Sequence, residues 1–274
     1  MIERKKVAPP KGAQAAQEKL IRKMYISNVA KRLRQLNQPS DTDKKRWIWE
    51  LIQNAKDTIA NDPTRASVNI KVKIDGDNVV FIHDGNPFTL DARFGLLWKY
   101  SEDKENPEST GRFGTGFLTT HCLSKVVSIE SDVYDDNNSN NLIGFRVTMF
   151  RDGDTESELL EGLDKMRNSE EWMEPFNHTA FTYHLKSESG RDAVKLGVSN
   201  FYENIAQTML FCPELSSVVM DDNGTITTIT RGESMSLENG IELASINFSG
   251  VSNLTRKFLA VRMEKESPEL TARY

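Results

Sequence analysis

The chain has 274 residues, long for one domain and sufficient for two, with 38% hydrophobic and 27% charged residues, the balance expected of a soluble globular protein with material for a buried core. A net charge of -5 argues against a nucleic-acid platform, which carries a basic excess. The two cysteines, Cys122 and Cys212, cannot build a disulfide framework at this length, and their apolar neighbours predict buried thiols in a reducing cytoplasm.

The opening stretch MIERKKVAPPKG lacks an apolar run, so no signal peptide is expected. No run approaches membrane-spanning length either. Residues 1–13 read as a tail. Basic residues gather at Arg4, Lys5 and Lys6 and again at Lys31, Arg32 and Arg34, as a solvated tail and helix face. A helix is predicted from Ala13 to about Gln38, with Leu20, Met24 and Val29 buried. Ser40 or Asp41 caps the next, about Thr42 to Asn61. Two strand-like runs, Ala66–Ile74 and Asn78–His83, are joined by Asp75-Gly76-Asp77 and predict a hairpin.

Leu90–Tyr100 reads as helix, and Ser101–Gly116 as a polar, glycine-bearing lid. Strands are predicted at Val126–Ile129, Leu142–Phe150 and Thr179–Leu185, with acidic, Asn-rich loops between them. A helix, about Asp192 to Phe211, precedes a β-rich tail that runs to Tyr274. The chain is expected to be the front portion of a longer protein. Its organisation is predicted as a tail (1–13), a main domain (14–212) and a β-rich extension (213–274) that either extends the first domain or begins a second.

Four patches carry chemistry. At about 100° per residue, Glu50, Asn54 and Asp57 share one helix stripe, with Ile48, Ile52, Ala55 and Ile59 nearly opposite. Such a stripe describes a solvated face, or a site for a hard cation and a water. Mg²⁺ takes oxygen ligands, which suits Asn54, and a neighbouring carboxylate, Glu50, can activate water. His83-Asp84-Gly85-Asn86-Pro87-Phe88 ends a strand in turn residues, where Asp84 can accept from an exocyclic amine and so select adenine. Thr110-Gly111-Arg112-Phe113-Gly114-Thr115-Gly116-Phe117 is a glycine-rich loop feeding a helix, suited to backbone contact with phosphates. It has neither P-loop nor dinucleotide-fingerprint spacing. Thr179 opens the last strand and can offer its hydroxyl to a base. The four histidines, His83, His121, His178 and His184, show no metal-ligand spacing.

In order and spacing these patches resemble the GHKL superfamily of gyrase B, the ninety-kilodalton heat-shock chaperones, histidine kinases and MutL-type ATPases. The resemblance covers roughly Lys44–Leu185. Glu50 to Asp57 is similar to the family's N box, which implies Glu50 as catalytic base, Asn54 as magnesium ligand and Asp57 as a supporting group. Asp84-Gly85 stands for the adenine motif, Ser101 to Lys104 for a Ser-x-x-Lys at the lid, Gly111 to Phe117 for the glycine box and Thr179 for the final strand threonine. Asn86-Pro87-Phe88 and His178 depart from the family's glycines.

The resemblance implies a two-layer α/β (α+β) sandwich of the Bergerat type, a mixed, mainly antiparallel sheet with helices on one face. It also implies ATP and Mg²⁺ as ligands, a cytoplasmic ATPase that is slow in isolation, and dimerisation on ATP-dependent closure, with a client protein as a further partner. Arg256 and Lys257 are the candidates for a cation at the γ-phosphate. The rival expectations are a nucleotide-binding switch without turnover and the ATPase part of a MutL- or topoisomerase-like DNA clamp.

Overall fold

The protein is described by a computed structural model over residues 13–60, 62–98, 116–135, 138–237, 241–250 and 253–261. Helix α1 (Ala13–Gln35) leads to α2 (Asp41–Asp57), the hairpin β1 (Val68–Asp75) and β2 (Asn78–His83), and α3 (Leu90–Trp98). Next come the short α4 (Gly116–Thr119), a 3-10 turn (Thr120–Cys122), β3 (Val126–Asp135) and β4 (Asn138–Phe150). Then follow α5 (Glu156–Asn168), β5 (Glu171–Met173), β6 (Thr179–His184) and α6 (Glu188–Phe211). Four strands close the order: β7 (Leu215–Asp222), β8 (Thr225–Ser236), β9 (Ile241–Gly250) and β10 (Leu254–Val261).

Ser40 starts α2 through a capping box. Its hydroxyl accepts from Asp43 N at 3.2 Å, and its own N–H donates to Asp43 Oδ2 at 3.2 Å, which satisfies two otherwise free first-turn donors. The helix ends at Asp57, short of the expected Asn61. In the first hairpin, Gly76 takes a φ of +56°, open to glycine at little steric cost. Its N–H donates to Asn223 Oδ1 at 3.0 Å, tying this turn to the β7–β8 turn.

Three expectations need correction. Between β4 and β6 lies α5 rather than only acidic loop. Thr155 and Glu158 form a second capping box, and Leu159, Leu163 and Met166 recur at helical spacing and are buried. Leu20 is 58% exposed, while α1 buries Tyr25, Val29 and Leu33, four residues apart. Cys122 is buried, and burial pushes its thiol up to about 12, whereas Cys212 at the end of α6 is only partly buried.

The strands form one mixed, mainly antiparallel sheet in the order β10-β9-β8-β7-β1-β2-β6-β3-β4-β5. Only the β1–β7 pair is parallel among those described. The segment read as a β-rich extension therefore continues the sheet of the preceding residues. Strand β1 buries Val68, Ile70, Val72 and Ile74 and exposes Asn69, Lys71 and Asp75, the period-two pattern of a sheet with one covered face. Phe81, Phe181 and Ile129 share a row on that covered face. Tyr183, two residues on from Phe181, reaches the 3-10 turn, its hydroxyl donating to Thr120 Oγ1 at 2.9 Å. No helix among the described residues is long and apolar enough to cross a membrane.

Helices α2 and α6 meet at Trp47, which is fully buried and donates through Nε1 to Ala193 O at 2.9 Å. Gly197 makes room for it: a Cβ there would overlap the indole. Gly197→Ala is therefore expected to destabilise the fold by about 1–3 kcal/mol through overpacking, although Gly→Ala inside a helix ordinarily stabilises by about 1 kcal/mol. Urea unfolding measures it, and an unchanged or higher midpoint would refute the tight α2–α6 contact.

Candidate functional site

With Trp47 pinned to α6, the opposite stripe of α2 is set in place. Glu50, Asn54 and Asp57 lie along it as expected, yet the stripe is not a solvated face. The Glu50 side chain is 16% exposed, and Asn54 Nδ2 and Asp57 Oδ2 are buried atoms without a hydrogen-bond partner among the described residues. Burial pushes the Asp57 carboxyl up, against the lowering pull of a 2.6 Å hydrogen bond from Gln53 Nε2 and the nearby Lys56 charge. Glu50 Oε1 is held by Arg46, one helical turn earlier. Its Oε2 faces the first residue of α4, where a Cβ on Gly116 would overlap it. Only glycine lets the chain pass this close to the carboxylate.

Two turns further along α2, about 12 Å from Glu50, a second glycine closes in. A Cβ on Gly85 would overlap Thr58 Oγ1 and crowd Ala55 O and His83 Nδ1. Thr58 Oγ1 donates to Ala55 O at 2.7 Å and accepts from Asn86 N at 3.1 Å, fastening the turn after β2 to the end of α2. On the covered face of the sheet an aromatic series runs between the two glycines. Phe117 packs on Phe181 with centroids 5.3 Å apart, and Phe181 on His83 at 6.5 Å.

His83 is the residue the sequence reading passed over. It follows Val79 and Phe81 at strand period onto the covered face, is 3% exposed, and sits in register with Thr179. The alternation within Asn78–His83 was the available signal. Burial lowers its pKa to about 4, so the ring is neutral at pH 7. Its Nδ1 accepts from Gly85 N at 3.1 Å, which places the proton on Nε2.

Asp84, one residue later, turns to the open face. Its carboxylate accepts from Asn69 N at 2.7 Å and Asn69 Nδ2 at 2.8 Å, with the Arg65 guanidinium 3.6 Å away. The structure thus does not bring this carboxylate to the α2 stripe. Asp84 and Gly85 instead line a cavity of about 270 Å³ at the strand ends, together with Arg65, Asp132, His178 and Thr179. The Thr179 hydroxyl is shared with Ser131 Oγ at 2.5 Å.

Gly116 meets the α2 stripe at Glu50, and Phe117 packs on Phe181 and His121. Ser101, Lys104, Gly111, Arg112, Phe113, Gly114 and Thr115 lie outside the described residues. Arg256 is engaged elsewhere, donating to Tyr202 O at 3.3 Å and lying over the Phe248 ring, and Lys257 is exposed beside it. Among the described residues no group of three or more His, Cys, Asp or Glu clusters as a metal site. The oxygens along α2 nonetheless suit a hard cation that takes few protein ligands and shares a phosphate's oxygens. Of the two atoms on α2 without a partner among the described residues, Asp57 Oδ2 is an acceptor that such a cation could meet, and Asn54 Nδ2 is a donor suited to an anionic oxygen. No protein-family model and no curated protein matches the chain.

Because folded His83 stays neutral down to about pH 4 while the unfolded side chain protonates near 6.5, the unfolded state takes up a proton that the folded state refuses. Stability from this residue is intact above about pH 6.5 and falls, by on the order of 3 kcal/mol, as pH drops toward 4. Urea unfolding of wild type and His83→Asn at pH 7 and pH 4.5 checks the sign. The stability gap between them should narrow at the lower pH, and a constant gap would contradict the buried neutral imidazole.

Proposed function

We propose that the chain binds a magnesium–ATP complex along α2 and hydrolyses it, as a Bergerat-type ATPase of the GHKL superfamily. The observation that carries this reading is the pair of buried polar atoms on Asn54 and Asp57 that have no partner among the described residues, in line with a glutamate that faces a glycine-initiated helix. Polar groups left unpaired in the interior are costly; a phosphate oxygen would accept from Asn54 Nδ2, and a cation would meet the acceptor Asp57 Oδ2.

In this reading the triphosphate lies at the Gly116 end and the base at the Gly85 end. Asn54, through its side-chain oxygen, would hold Mg²⁺, with Asp57 in support, and the ion supplies charge neutralisation at the phosphates when bound. Glu50 Oε2 takes a proton from water as the water oxygen attacks the γ-phosphorus. The bond to the β–γ bridging oxygen breaks, leaving ADP and phosphate. Gly111 to Thr115, Ser101 and Lys104 enter the proposal through the family resemblance alone, as does coupling of nucleotide state to the pairing of two copies.

One contact favours a second reading, a nucleotide-binding switch without turnover: Arg46 already engages Glu50 Oε1, which withholds half of the carboxylate from a water. Calorimetric binding of ATP and ADP with and without Mg²⁺, alongside phosphate release, separates the two. For the ATPase, Glu50→Ala should keep binding and lower release by about 100-fold or more. Asn54→Ala should weaken Mg²⁺-dependent binding by about tenfold. Binding without release from the wild type would favour the switch, and absence of nucleotide binding would dismiss both.

A further inference from the structure

We propose that Arg46 reads the γ-phosphate, so that the site separates nucleoside triphosphates from diphosphates through a cation carried on α2 itself. The inference rests on the nucleotide reading of the α2 stripe and holds with or without turnover. At about 100° per residue, Arg46 extends the stripe of Glu50, Asn54 and Asp57 by one turn toward the start of the helix. In the proposed site that is the end where the triphosphate would lie, since Glu50 is the residue that faces Gly116. The Arg46 side chain is 56% exposed, and among the described residues its hydrogen bond is the one from Nη2 to Glu50 Oε1. Nε and Nη1 are left to donate elsewhere. Other cations that could serve are engaged. Arg32 is bound to Asp43 Oδ1 and Thr119 Oγ1, and Arg256, on the outermost strand β10, donates to Tyr202 O and lies over Phe248.

Magnesium–ATP is a net anion, and a stripe whose charged groups were Glu50 and Asp57 alone would repel it. Arg46 supplies the opposing charge at the γ end. A pair one turn apart on a helix surface is worth little to the fold, so sharing or releasing Glu50 costs little. A guanidinium on a phosphate, by contrast, makes charge-assisted bonds in a fixed planar fork. That fork has more N–H donors than Glu50 uses, enough to keep the carboxylate with one arm and take a γ-phosphate oxygen with another. ADP lacks that oxygen, so the contact distinguishes the two nucleotides.

The test is calorimetric titration of the full chain with ADP and with the β,γ-imido analogue of ATP, each with Mg²⁺. Arg46→Ala should weaken the triphosphate analogue by about tenfold or more and leave ADP within about twofold of wild type. Arg46→Lys keeps the charge without the fork, and its loss should be smaller but confined to the triphosphate. Lys45→Ala removes a charge from the neighbouring exposed position and should leave the ratio as in wild type. Circular dichroism reports whether each variant folds, and if Arg46→Ala does not, Arg46→Lys decides alone. An equal loss for both nucleotides, no loss, or the same shift from Lys45→Ala would overturn the assignment. So would unchanged binding with faster phosphate release, the mark of an arginine that only restrains Glu50. Each of these leaves the nucleotide reading intact. Failure of the wild type to bind either nucleotide would remove that reading, and this inference with it.

Discussion

Everything at the candidate site depends on how α2 is rotated about its own axis, and one indole sets that rotation. Trp47 is wedged against Gly197 and hydrogen-bonded to Ala193 O, so α2 cannot roll without breaking a buried bond and driving a ring into backbone. Arg32 adds a second restraint at the start of the helix, with Nη2 2.6 Å from Asp43 Oδ1 and 3.1 Å from Thr119 Oγ1. That contact links α1, the capping box of α2 and the end of α4. The polar stripe is thus presented from a rigid element, which is how interacting groups are kept in a working geometry.

The stripe is also where the fold carries its cost. A buried donor or acceptor without a partner forfeits about 1–3 kcal/mol, and among the described residues Asn54 and Asp57 each leave one. Buried Asp132, by contrast, receives Phe176 N and Asn177 N, each at 2.7 Å, while the fully buried Arg151 reaches Leu96 O and Leu97 O at 3.2 and 3.0 Å but leaves its Nε without a partner among the described residues. Among the described residues, Asn54 Nδ2 and Asp57 Oδ2 are the two such atoms that lie on one helix stripe.

Much of this arrangement was legible because it is local. Ser40 and Asp43 announce a helix start, Asp75-Gly76-Asp77 announces a hairpin, and the spacing of Glu50, Asn54 and Asp57 places them on one stripe wherever α2 packs. What covers that stripe is non-local, so the wheel could not distinguish a wet face from a buried one. The side to which Asp84 points was lost for a narrower reason. Strand alternation has a period of two, and a shift of one residue exchanges His83 for Asp84. Helix α5 was hidden by its charge: Glu156, Glu158, Glu161 and Asp164 read as loop until the interval between Leu159, Leu163 and Met166 is noticed. That the last four strands join the same sheet follows from the β1–β7 pairing, which no window of neighbouring residues contains.

That parallel pairing also shapes how the chain comes together. Strand β1 finds β2 across a two-residue turn but must wait for β7, which begins only at Leu215. During synthesis from the N-terminus one edge of the sheet's middle is therefore bare until most of the chain has emerged. Closing such a long loop is slow compared with forming a hairpin, and an uncovered strand edge invites pairing with the wrong chain. Lys71 and Lys73 on β1 place charge along the strand during that interval, a protection that the finished sheet no longer needs.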